Sequence, residues 1–64
     1  MIKTGDVVVL KSGGPEMTVE GFEHEGAGRV FVICSWFVGA TRERARFLSE
    51  ALEIVDMHEQ EQAS

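Results

Sequence analysis

The chain has one cysteine, one proline and few basic residues, and it lacks any long apolar run. Each scarcity excludes something. A single thiol, Cys34, cannot close an intramolecular disulfide, so the covalent staple of many small exported domains is ruled out. His24, His58 and that cysteine do not form the Cys/His clusters of a structural zinc site. No stretch approaches the roughly 20 apolar residues that cross a bilayer as a helix, so no membrane partner is expected. The opening MIKTGDVVVL has one lysine, no extended apolar core and no small-residue cleavage site, so it does not read as a signal peptide. A free thiol without an export signal gives the expectation of a cytoplasmic protein.

Positive charge is also scarce. Six Lys and Arg stand against eleven Asp and Glu, for a net charge of -5. Asp56, Glu59 and Glu61 place -3 of this in residues 56–64, which leaves -2 on residues 1–55. A phosphate backbone needs a clustered positive field, so direct nucleic-acid binding is not expected. The 64 residues allow one domain with a small core, of a size that buries only about 60% of its unfolded surface. With disulfide and metal set aside, self-association is the staple left open. An apolar content of 44% suits a folded domain rather than a disordered one.

What is present is β-rich and sharply punctuated. Gly5-Asp6 signals a turn, and Val7 to Lys11 reads as a first strand with Val8 and Leu10 on one face and Val7 and Val9 on the other. Ser12 to Glu16, with two glycines and Pro15, is the connection. Met17 to Phe22 reads as a second strand, with Met17 and Val19 facing away from Thr18 and Glu20. His24 to Gly28 is a polar turn, and Arg29 to Phe37 is the strongest strand. Its faces are Val30, Val32, Cys34, Trp36 and Phe31, Ile33, Ser35, Phe37, both largely apolar. Val38 to Arg44 reads as a loop and Arg46 to Leu48 as a short fourth strand. Ser49 to Leu52 fits one helical turn capped by Ser49, and Glu53 to Val55 a fifth strand. The pattern predicts an all-β fold, a small SH3-like barrel of about five short antiparallel strands with one helical turn before the last. It occupies residues 1–56, followed by a polar tail over 57–64. The rival is an open antiparallel sheet made stable by pairing with another copy. Core positions are expected at Val8, Leu10, Met17, Val19, Val32, Cys34, Phe47, Leu52 and Ile54.

GDVVVLKSGGPEMTV, followed by ICSWF and RFLSEALEIV, resembles the YodC-like family of small uncharacterised bacterial proteins. The blocks match in order across about residues 2–55. The resemblance implies a small single-domain protein and carries over no catalytic residue. The family pattern often has a polar residue where Val9 stands, so the outer face of the first strand is more apolar here. The GDVV-x-L opening is also similar to the turn and strand of KOW-type and Tudor-like modules. That likeness covers about ten residues and supports the barrel.

The candidate sites have plain structural readings beside them. Ser12-Gly13-Gly14-Pro15 reads as a turn, since a phosphate loop needs a following helix and a strand follows here. Cys34 lies mid-strand between apolar residues, where thiols are inert. Glu23-His24-Glu25 has metal-ligand residue types, but adjacent side chains diverge, so it reads as a solvated turn. Arg42, Arg44 and Arg46 form the one basic cluster and share a side if extended. Their plain role is a solvated loop paired to Glu43 and Glu50. Their functional role is to grip a carboxylate-rich or phosphate partner. Trp36 and Phe37 face opposite ways. Trp36 suits the core, and an exposed aromatic at a strand end suits a partner.

No acid–base pair, nucleophile dyad or metal set is visible, so no enzyme activity and no cofactor are expected. The expected function is a non-enzymatic protein-binding module acting through an apolar strand face and adjacent loops. Its candidate contacts are Val7, Val9, Phe31, Ile33, Trp36, Phe37, Arg42 and Arg44. The alternative is a phage-type acidic inhibitor that imitates phosphate and blocks a nucleic-acid-handling complex, in the manner of an anti-CRISPR protein. The apolar outer face also predicts a two-fold homodimer, or a different protein covering the same patch.

Overall fold

The computed structural model describes residues 1–55. The expected polar tail and residue 56 lie outside the described residues. Five strands run in order: β1 (Val7–Leu10), β2 (Met17–Glu25), β3 (Arg29–Val38), β4 (Thr41–Leu48) and β5 (Leu52–Ile54). All pairings are antiparallel, in the order β4-β3-β2-β1-β5. The all-β expectation therefore holds. Among the described residues the hydrogen bonding does not close a barrel: β4 and β5 are the two edges of one sheet.

Local chemistry sets the boundaries. At the start, the Asp6 N–H donates to the Lys3 carbonyl at 3.0 Å. Gly5 takes φ 94°, the left-handed value that the third residue of a type II turn demands. The Asp6 carboxylate accepts from the Lys3 backbone N–H at 3.0 Å and from its Nζ at 3.4 Å. The Lys3 amide is the chief cause that holds the Asp6 carboxyl below its ordinary value. Gly5 N–H then donates to Val19, and Val19 N–H to Asp6, both at 2.9 Å. The turn is thus stitched to β2 and sets the register in which β1 enters.

The fourth strand is longer than its sequence suggests. Val38 to Arg44 is not a loop, because β4 begins at Thr41. Gly39 and Ala40 alone make the connection, with Val38 opposite Thr41. Gly39 has φ 63° and Ala40 an ordinary φ, the type II′ pattern of a two-residue hairpin. The second strand is longer too. Glu23, His24 and Glu25 belong to β2 rather than to a turn. The reversal into β3 is confined to Gly26–Gly28, a 3₁₀-type turn broken at Ala27. Before β5, Ser49–Ala51 forms the expected single turn, again 3₁₀. Ser49 is inside it and makes no side-chain cap, because Leu48 precedes the turn in extended conformation.

The core lies on one face of the sheet. Val8, Met17, Val19, Val32, Cys34 and Leu52 are buried there, and Ile2, Leu10, Phe22, Trp36 and Phe47 pack against them, half-buried. Ile54, expected in the core, is 44% exposed. It partners Val8 from the three-residue edge strand β5, and no described strand continues the sheet beyond it.

One irregularity decides which residues face where. Val19 opposes Cys34 and Gly21 opposes Ile33, so Glu20 is an extra residue, a β-bulge. Up to Val19 the odd residues of β2 point to the core. After the bulge the even ones do, which brings Phe22 opposite Val32. The same slip turns Glu23 and Glu25 to the outer face.

Candidate interaction face

Cross-strand partners share a face, so the register alone lays out the outer surface. One row runs Val7, Thr18, Ser35, Arg44 across four strands. A second places Ile33 between Gly21 and Arg46, and a third places Phe31 between Glu23 and Leu48. Phe37 partners Arg42 at the β3–β4 end. Of the expected contact residues, Val7, Phe31, Ile33, Phe37, Arg42 and Arg44 thus lie on one face. Val9, alternating with Val8, shares it from β1 opposite Glu53. Trp36 does not. It is on the core side, with its ring centroid 6.3 Å from that of Phe47 at a 45° tilt.

The apolar stripe of β3 is not bare. Arginines on β4 and glutamates on β2 meet over it. Arg42 donates to Glu20, and Arg44 Nε lies 3.4 Å from the same carboxylate. Arg46 Nη1 reaches Glu23 at 2.6 Å and Glu25 at 3.2 Å. The Arg46 guanidinium lies 4.7 Å from the Phe31 ring centroid, with that of Arg29 at 5.7 Å. Phe31 and Ile33 are half-buried in consequence. The arginine pairing is therefore with β2, not with Glu43 and Glu50. The pairs are solvent-exposed and individually contribute little. Their stems do the covering, as long charged side chains do over apolar surface.

Glu20 is the hinge of this ladder. The Ser35 hydroxyl first, then the Arg42 guanidinium, hold its carboxyl below the ordinary 4.5. Glu23 and then Glu25 keep Arg46 firmly charged.

The ladder stops short of the hairpin tip. Phe37 is 68% exposed and Val38 61%, the largest apolar exposure on the strands. Sequence reasoning singled out Phe37 but missed Val38, whose exposure follows from the two-residue turn beside it.

The other candidates resolve simply. Cys34 is fully enclosed, burial pushes its thiol pKa up, and Sγ contacts the Val32 carbonyl at 3.8 Å. Among the described residues, no group of His, Cys, Asp and Glu converges to hold a metal ion. An open hollow of about 290 Å³ is lined by Gly28, Arg29, Val30, Leu48, Ser49 and Glu50. One arginine and one glutamate at its wall give it no dominant charge. No described helix is long and apolar enough to cross a membrane.

Residues 3–52, from the N-terminal turn to the start of β5, match the family described as Uncharacterized small protein (DUF2158). The chain belongs to the DUF2158 family. Within this DUF2158 protein the matched span includes the bulge, the ladder and the exposed tip. No curated protein matches the chain, and no solved structure does.

Proposed function

We propose that this DUF2158 protein is a non-enzymatic protein-binding module that engages its partner at the β3–β4 end of the outer sheet face. The observation that carries this reading is Phe37, 68% exposed on that face, beside its cross-strand partner Arg42 and with Arg44 on the same face. An exposed aromatic flanked by guanidinium groups is the composition enriched where proteins bind each other. The strand order, with a 3₁₀ turn before the last strand, supports an SH3-like arrangement. The GDVVVLKSGGPEMTV, ICSWF and RFLSEALEIV blocks support a YodC-like assignment within the family. The free, buried thiol supports a reducing, cytoplasmic setting.

The inhibitor reading draws on small size and the net charge of -5, of which -3 lies in residues 56–64, outside the described residues. Within the described residues, Glu20, Glu23 and Glu25 are each matched to an arginine. The dimer reading draws on the apolar outer face, and the ladder covers its stripe at Phe31 and Ile33. The covered stripe and the exposed Phe37 support a foreign protein at the tip.

The test is affinity capture from cell lysate with the wild-type chain and with a Phe37→Ser/Arg42→Glu variant. A protein retained by the first and lost from the second is the expected result. Identical retention by both removes the site. Ultracentrifugation at micromolar concentration reads the oligomeric state alongside, with a monomer expected.

A further inference from the structure

We infer that β4 takes up an extended acidic segment of another protein as an added strand. This rests on the protein-binding reading above and names the chemistry of the partner. Three observations converge on β4. It is an eight-residue edge strand that pairs with β3 along one side, and no described strand pairs with the other. Such an edge presents a row of backbone donors and acceptors ready for a further strand. Its outward face carries Arg42, Arg44 and Arg46 at every second position, with side chains 53%, 61% and 52% exposed. Arg42 and Arg44 share one carboxylate, Glu20, so positive charge is in surplus at that end. Phe37 adds exposed apolar surface on that face at the same end, and Val38 does so on the other face.

The same arginines argue against a second copy as the occupant. A two-fold antiparallel pairing of β4 centred on Glu43 sets Arg42 against Arg44. Centred on Arg44 it sets Arg42 against Arg46, and centred on Ala45 it sets Arg44 against Arg46. Like charges directly opposite destabilise a strand pair. A foreign strand with Asp or Glu at alternate positions brings further carboxylates to Arg42 and Arg44, which share one, while Arg46 already holds Glu23 and Glu25. Its intervening side chains fall on the core side, beside Ala45 and Phe47, and are apolar there.

The experiment titrates the full chain with a short peptide of alternating glutamate and valine, and reads β4 amide hydrogen exchange. A matched peptide of alternating lysine and valine and a single-stranded oligonucleotide serve as controls. The glutamate peptide is expected to slow exchange at β4 amides and to bind about tenfold or more weaker at high salt. Arg42→Glu/Arg44→Glu is expected to lose the glutamate peptide and gain the lysine peptide, a reversal that misfolding cannot produce. Binding confined to Phe37 and Val38, without slowed β4 exchange, overturns strand addition and leaves the protein-binding reading standing. Equal binding of both peptides, preference for the oligonucleotide, or β4 protection by a dimer of the chain itself each overturns the inference.

Discussion

Ala27 is the one non-glycine residue among those described with a positive φ, at φ 66° and ψ 21°. Its Cβ crowds the carbonyl in that conformation, which costs an L-residue about 1–2 kcal/mol. Gly28 follows in the same region at φ 76°, at no such cost. Asn and Gly tolerate the left-handed region, and Asn-Gly is the pair that tight hairpin reversals favour. Ala27→Asn is therefore expected to stabilise the fold by about 1 kcal/mol and raise the melting temperature by a few degrees. Thermal unfolding followed by circular dichroism checks it. An unchanged or lower midpoint shows that the turn stores no strain.

At the scale of the element, β2 and β4 work as a pair across β3. Glu20 has its carboxyl pKa lowered in the fold, so the sign of its pH effect is fixed. Its contribution is complete above the unfolded value near 4.5 and is lost as pH falls through the lower folded value. Melting temperature is expected to fall on acidification below about pH 4.5, and Glu20→Gln to show a shallower fall. Parallel slopes for the two chains would remove Glu20 from the ladder. The limits of sequence reading fall on these same elements. Leu52, read as the end of the helical turn, is the first residue of β5. Val8, Met17, Val19, Val32 and Cys34 were legible as core because alternation within a regular strand is strict. Phe22 was not, since the bulge at Glu20 shifts the count by one and alternation carries no mark of an inserted residue. The ladder was hidden because its partners lie more than twenty positions apart, and Glu23 and Glu25 reach the outer face only through that shift. The Gly39-Ala40 hairpin was legible in principle, because glycine at the first turn position is its signal. The charged stretch TRERAR disguised the strand that follows.

On the scale of the whole molecule, the described residues form a sheet with one core face, held by six buried side chains. A domain of this size has a narrow margin of stability. The enclosed thiol of Cys34 gives access to that margin. It is 0% exposed, at the centre of β3, with β2 and β4 paired on either side. A reagent in solution meets it only when those strands part. The labelling rate by an aromatic disulfide then equals the rate for a free thiol multiplied by the fraction of molecules open. The logarithm of that rate is expected to rise linearly with denaturant, with the same slope as equilibrium unfolding. A rate indifferent to denaturant would reveal a local breach instead. The sole cysteine thus acts as a clock on the native state, counting its openings under conditions where the unfolded fraction is too small to see.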